Sequence, residues 1–352
     1  MIKTLKDFKF LNKRVLVRCD FNVPLDEQGN ILDDFRIRQT IPTIEYLLKM
    51  GAKVILISHL GEPEGKVVPT LTMDKVQEKL AGYLSVPVTK APDCIGFDIE
   101  KYCYGLTSKE VFLLENLRFH IGETENDPEF AKALSKLADI YINDAFGVCH
   151  RSHASVVSVP LLLDSGIGLL LEKEIRTLEK IMQKPKRPML AIIGGAKVGT
   201  KSKLITNILK IADKVIISGL IKQEIDNTGM KFDYQEKLIA PIDAIEVDGK
   251  QPDIGPKSIK LFKKSIRRAK TILWNGPFGF IEKKEYVKGT LEIAKAVAKS
   301  WGFCVVGGGE TVEFLNKVGL ISKFDHVSTG GGAMLSFLSG ETLVGLQPLI
   351  RR

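Results

Sequence analysis

LAIIGGAKVGTKSK (190–203) places two glycines directly after an apolar run, with lysines and a serine ahead of a stretch of helix formers. A strand that ends in glycine and turns into a helix exposes free backbone N–H groups, with the positive end of the helix dipole behind them. The arrangement recurs in CVVGGGETVEF (304–314) and HVSTGGGAMLS (326–336). A single turn of this kind is equally well explained by a tight connection that needs glycine's conformational freedom. Three in one half of the chain, each carrying threonine and one also carrying Lys197 and Lys201, read as a polyphosphate site. It is not a Walker A loop, because Thr200 separates Gly199 from Lys201. Nor does a G-x-G-x-x-G follow an early strand, so the dinucleotide fingerprint is missing.

Outward from these turns, strand-like and helix-like segments alternate. MLAII (189–193), KVIIS (214–218), TILW (271–274) and FCVV (303–306) are short apolar runs separated by helical stretches. The first half repeats the scheme with RVLVR (14–18), KVILIS (53–58), VFLLEN (111–116) and DIYIND (139–144). Between the first two runs, Ile37, Ile41, Ile44 and Leu48 recur at helical spacing and Gly51 closes the helix; Asp127-Pro128 opens another. Such alternation predicts an α/β fold with two mainly parallel, doubly wound sheets. SGIGLLLEKEIRTLEKIMQK (165–184) has helical periodicity and then meets Pro185 and Pro188, so it reads as one long interdomain helix between domains at 1–164 and 185–334.

A chain of 352 residues suffices for two such domains. With 44% hydrophobic and 26% charged residues the composition is that of a globular protein. The N-terminus carries lysines but no apolar signal core, and no run reaches the length of a membrane span, so a cytoplasmic protein with no membrane partner is expected. Cysteines 19, 94, 103, 149 and 304 are odd in number and form no C-x-x-C, which predicts reduced, packed thiols. The net charge of +9 raises the question of nucleic acid. No basic run has interleaved aromatics, and Lys263-Lys264 with Arg267-Arg268 read as the solvated face of one helix, so no nucleic-acid partner is expected.

The first half offers side chains where the second offers glycine backbone. Arg18, Asp20, Asn22, Arg36, His59, Arg118, His150, Arg151 and His153 fall at or just after the ends of strand-like runs. In a doubly wound sheet those ends line the ligand crevice. His120 and His326 read as satisfied structural histidines. The remaining set suits a compact acid with phosphate and carboxylate groups, because arginine forks hold such oxygens bidentately.

RCDFNVP (18–24), SHLG (58–61), LLENLRFH (113–120), YINDAFG (141–147), HRSHAS (150–155), LAIIGGAKV, TILWNGPFG (271–279), VVGGGET and HVSTGGGA run in the order found in phosphoglycerate kinases. The chain resembles that family along nearly its whole length. The resemblance implies two Rossmann-like domains facing each other across a cleft. It places 3-phosphoglycerate on the N-terminal domain and MgATP or MgADP on the C-terminal one, and it returns residues 335–352 to the N-terminal domain. Position by position, it makes Asp20, Asn22, Arg36, His59, Arg118 and Arg151 acceptor-binding residues. Lys197 and Lys201 become phosphate-contacting lysines, Asn275 and Glu282 nucleotide contacts, and Gly307, Gly308 and Gly309 with Gly330 to Gly332 backbone donors around the transferred phosphoryl group. Arg36, Lys197, Lys201, Gly309 and Gly332 are the expected catalytic set. Glu310 is the expected Mg²⁺ ligand beside Thr311, and a monomer is expected.

That reaction suits the residues on chemical grounds as well. A carboxylate acceptor is already ionised at neutral pH, so positioning and charge neutralisation are needed rather than a base. Two further readings stay open: an acyl-phosphate kinase with altered acceptor or nucleotide, and a weakly catalytic binding protein. Three departures from the family pattern bear on this. Glu62 stands where the SHLGRP motif has arginine, Glu310 stands where aspartate is usual, and SGLIKQE opens a shortened segment at 219–254 in place of GGGMAFTF.

Overall fold

The computed structural model describes residues 2–195, 201–248 and 250–350. The chain divides into two compact units, Met1–Ile175 with Leu343–Arg352, and Arg176–Thr342.

In the first unit six strands, β1 (Arg14–Arg18), β2 (Lys53–Ile57), β3 (Val88–Lys90), β4 (Val111–Leu113), β5 (Ile140–Asn143) and β6 (Asp164–Ile167), pair in the order β3-β4-β2-β1-β5-β6. Every pairing is parallel. Parallel strands covered by helices on both faces need continuous apolar runs, and Val15, Leu16, Val17, Val54, Ile55 and Leu56 are all fully buried. The helix Phe35–Lys49 covers one face with Ile37, Ile44 and Leu47, each burial worth about 1.5–3 kcal/mol. The sheet grows in opposite directions from β1, to β2 on one side and β5 on the other, and this reversal opens a crevice at the carboxyl ends of those strands.

The second unit repeats the plan. Its strands β7 (Met189–Ile193), β8 (Lys214–Ile217), β9 (Leu238–Ile239), β12 (Thr271–Asn275), β13 (Phe303–Gly307) and β14 (His326–Val327) form a parallel sheet in the order β14-β13-β12-β7-β8-β9. Between β9 and β12 in the chain, β10 (Ala244–Val247) and β11 (Lys250–Ile254) make a separate antiparallel hairpin. The core is built on Ile192, Ile216, Ile272, Trp274 and Val306 against Phe262 and Ile293 of the covering helices.

Two of the expected boundaries move. Residues 165–167 belong to β6, which pairs with β5, and the helix read over 165–184 is Leu169–Gln183. A Cβ at Gly166 would lie 2.6 Å from the Phe8 ring and 2.8 Å from the Lys3 carbonyl, so this glycine lets the strand lie close to the N-terminal segment. The helix starts only where the buried Asp144 accepts from the Leu170 and Leu171 amides at 2.9 and 3.2 Å. At the other end, residues 335–338 complete the helix Gly331–Leu338 of the second unit, and the return to the first unit begins at Leu343 rather than at 335.

Candidate active site

In the first unit the side chains gather at the carboxyl ends of β1, β2 and the turns after β4 and β5. Arg18, the last residue of β1, is fully buried; its Nε donates to Ser155 Oγ at 2.8 Å and a terminal nitrogen lies 3.7 Å from Glu123 Oε1. Glu123, also fully buried, accepts from the Ser155 hydroxyl at 2.6 Å and the Ser155 amide at 2.9 Å. This pair holds the Arg18 guanidinium beside His59, whose Nδ1 is 3.3 Å away. Arg36, the second residue of its helix, donates to the Asn22 carbonyl at 2.6 Å and lies 3.5 Å from Asp20 Oδ1. The Asn22 side chain accepts in turn from the Gly61 amide at 2.9 Å. Arg118 sits in a short turn capped by Asn116, donates to the Gly61 carbonyl at 2.8 Å and pairs with Glu62 at 2.7 Å.

Positive charge accumulates here. Burial and the neighbouring Arg18, Arg118 and Arg36 hold the His59 ring well below the usual histidine range. Burial, Arg118, Arg18 and Arg151 pull His153 down to about 3, and burial with Arg151 lowers His150. Arginines that hold the neighbouring histidines neutral in this way mark a region of positive potential suited to an incoming anion. Arg118 Nε and the Nδ1 atoms of His150 and His153 are buried without a hydrogen-bond partner among the described residues.

In the second unit the glycine turns come together. The Gly194 amide donates to the Asn275 carbonyl at 2.8 Å and the Gly195 amide to the Pro277 carbonyl at 2.7 Å, which joins the turn after β7 to the turn after β12. The buried Thr311 hydroxyl accepts from the Gly276 amide at 3.0 Å and so binds that turn to the helix Gly309–Lys317. A Cβ at Gly331 would lie 3.1 Å from the Gly308 Cα, so the turns after β13 and β14 are in backbone contact. Gly308 itself has φ +98°, a conformation that side chains resist. The N-termini of the helices Gly309–Lys317 and Gly331–Leu338 therefore open side by side. Lys201 Nζ donates to the Gly194 carbonyl; burial lowers its pKa and Glu310 pushes it back. Asn275, at the end of β12, is buried with its Nδ2 donor unpartnered among the described residues. Such a set of amides, an ammonium and a spare amide donor is built for phosphate oxygens.

The family model described as phosphoglycerate kinase matches residues 5–226 and 224–341. The chain belongs to the phosphoglycerate kinase family. It is 43% identical to the phosphoglycerate kinase of Aquifex aeolicus, over 97% of this chain and 96% of that protein, and 44% identical to that of Hydrogenobaculum sp., over 97% of each. The solved phosphoglycerate kinase of Pyrococcus horikoshii superposes with TM-score 0.86 at 32% identity, covering 99% of this chain and 98% of that one. That of Coxiella burnetii superposes with TM-score 0.82 at 32% identity over the same shares.

The comparisons also locate the shortening relative to the family. The Aquifex alignment runs over 383 residues although the chain has 352, so the relative carries residues this chain lacks. The family model breaks into two pieces that meet at 224–226, inside the helix Gly219–Thr228. That helix is followed by β9 of only two residues and then by the β10–β11 hairpin.

Of the residues that the resemblance singled out, Asp20, Asn22, Arg36, His59 and Arg118 cluster at the carboxyl end of the first unit's sheet. Arg151 is exposed on the turn after β5, near enough to Arg118 and His150 to bear on their charge. Lys201, Asn275, Gly307 to Gly309 and Gly330 to Gly332 meet in the second unit, with Glu310 exposed in the first turn of its helix and Glu282 on an exposed turn beyond β12. Lys197 lies outside the described residues. Sequence reasoning missed Glu123 and Ser155 as the supports of Arg18, and Thr311 as the link between two glycine turns. Ser155 stands inside HRSHAS and Thr311 inside VVGGGET, so the motifs held them; Glu123 had no signal beyond lying three residues after LLENLRFH.

Proposed function

We propose that the chain catalyses reversible phosphoryl transfer between 1,3-bisphosphoglycerate and ADP, giving 3-phosphoglycerate and ATP, as a cytoplasmic monomer. The observation that supports this reading most is the pairing of an arginine and histidine cluster in one unit with fused glycine turns around Lys201 in the other. A carboxylate acceptor is already ionised and needs no base to activate it. Asp20, Asn22, Arg36, His59, Arg118 and Arg151 would bind the acid and its phosphate. Lys197, Lys201, Asn275, Glu282, Gly307, Gly308, Gly309 and Thr311 would bind the nucleotide, with Arg36, Lys197, Lys201, Gly309 and Gly332 facing the transferred group. Glu310 suits Mg²⁺: it is an exposed, hard oxygen donor at a helix N-terminus, and this ion is commonly held by one or two carboxylates together with substrate phosphates. When bound, the ion neutralises charge on those phosphates. Transfer requires the two ligands in line and water excluded, and the helix Leu169–Gln183, which spans the division between the units, is our hinge candidate. A coupled assay in both directions with several nucleotides tests the activity; absence of 3-phosphoglycerate-dependent ATP turnover would reject it.

Glu62 modulates acceptor affinity in this reading. Its carboxylate, two-thirds exposed, occupies the Arg118 guanidinium that the acid's phosphate must share. Glu62→Gln should lower KM for 3-phosphoglycerate by roughly two- to fivefold, the range of an exposed ion pair, and Glu62→Arg should lower it further. Equal KM values in all three proteins would place Glu62 outside the acceptor pocket.

The shortened 219–254 segment bears on the nucleotide base. Phosphate contacts come from Lys201 and the glycine turns, whereas base recognition needs an apolar slot with a few placed polar groups. Loss of base contacts worth about 1.4 kcal/mol costs roughly tenfold in affinity. The expected result is weak discrimination among ATP, GTP and ITP in kcat/KM. A strong preference for ATP would show that the helix Gly219–Thr228 and its following strands rebuild the slot.

A further inference from the structure

The helices Pro256–Ile266 and Lys288–Ala298 pack side by side on the second unit and leave a groove of about 850 Å³ between their outer faces. Six cations line it: Lys260, Lys263, Lys264 and Arg267 from the first helix and its end, Lys295 and Lys299 from the second helix and its end. Glu292 is the one acidic residue in its lining; it pairs with Lys263 at 2.5 Å and with Lys295 at 3.2 Å. Lys260, Lys264, Arg267 and Lys299 have no ion pair among the described residues. At one end stands Trp301, 97% exposed. An indole left in water at this exposure gains nothing for the fold, and the cations around it repel one another. Along the chain, 263–268 reads as a solvated helical face because no aromatic is interleaved. The fold supplies that aromatic from the neighbouring segment.

We propose that this groove binds single-stranded nucleic acid, with the six cations following the phosphate backbone and Trp301 stacking on an unpaired base. The occupant must be a polyanion, since the groove gathers uncompensated positive charge over two helices. A concave channel with one aromatic face at its end suits a splayed single strand, whereas a duplex presents no free base face. A lipid surface is flat and would meet a protruding apolar rim rather than a groove. The residues involved take no part in the kinase site, so this activity is separate from phosphoryl transfer.

The two tryptophans make the test direct, because Trp274 is fully buried and Trp301 alone is exposed to quenching. The intact protein is titrated with fluorescein-labelled oligouridylate of twenty nucleotides, with a duplex of the same length, and with phosphatidylserine vesicles. The expected result is binding of the single strand in preference to the duplex, with quenching of Trp301 fluorescence and affinity that falls steeply with salt. Trp301→Ala should weaken binding roughly fivefold or more, the effect of losing one stacked base, and Lys264→Glu with Arg267→Glu should abolish it. Both variants should keep wild-type kinase turnover, which shows that they are folded, and saturating MgADP should leave oligonucleotide binding unchanged. Binding that survives both variants, that is displaced by MgADP, or that occurs with vesicles but not with the oligonucleotide overturns the proposal.

Discussion

Arg36→Ala should lower turnover by about two to three powers of ten while affinity for ADP and ATP stays near wild type. The expectation rests on how the side chain is held. One terminal nitrogen donates to the Asn22 carbonyl at 2.6 Å and lies 3.5 Å from Asp20, and both anchors belong to the loop that follows β1. The guanidinium is thereby set in place before any ligand arrives, and 29% of the side chain is still exposed. A pre-oriented cation acts on the charge that develops during transfer without having to reorganise, which is why its loss falls on kcat. Nucleotide affinity is spared because the residues proposed to bind the nucleotide all belong to the second unit. Arg36→Lys should recover only part of the rate, since an ammonium keeps the charge but not the fork. Single-turnover kinetics and calorimetric titration with ADP separate the two effects. Near-normal kcat in Arg36→Ala would place the residue outside the transfer step, and an equal loss in ADP affinity would assign it to the nucleotide.

Much of this arrangement could be read along the chain, for identifiable reasons. Strands of a parallel sheet are buried on both faces, so RVLVR, MLAII and FCVV announce themselves as unbroken apolar runs and emerge as Arg14–Arg18, Met189–Ile193 and Phe303–Gly307. Short edge strands carry no such signal. Val88–Lys90 and Leu238–Ile239 have no counterpart in the sequence pattern, because two or three residues show no period. Asp164–Ile167 reads along the chain as part of the helix behind it, since its glycine spacing makes sense only against Phe8, far away in sequence. The site follows the same division. The residues expected to face the ligands sit in motifs; the groups that orient them depend on contacts across the fold. Glu123 reaches Ser155 and Arg18 from 32 and more than 100 positions away, and no local pattern encodes that meeting. The basic groove is the clearest instance, because its charges were visible in 263–268 and its aromatic came from 301.

Lys201→Met should reduce kcat/KM by about two to three powers of ten, and by a similar factor for ATP, GTP and ITP. Lys201 opens the helix Ser202–Ile211, and its ammonium donates to the Gly194 carbonyl at the heart of the fused turns. A Cβ at Gly195 would stand 2.6 Å from that nitrogen and one at Gly276 2.9 Å, so the glycines exist partly to admit it. Burial disfavours the charge, and Glu310 supports it only in part, so the cation is under-compensated until phosphate oxygens arrive. Methionine keeps the apolar stem and the packing while removing the charge, which makes it a cleaner test than alanine. Lys201→Arg should fail as well, because the room left at Gly195 and Gly276 fits a compact ammonium rather than a planar guanidinium. The uniformity across bases is the decisive readout. A contact to phosphate cannot distinguish adenine from guanine or hypoxanthine, so equal losses for all three would fit a phosphate role, whereas a loss confined to ATP would move Lys201 to the base pocket and leave the glycine turns without their cation.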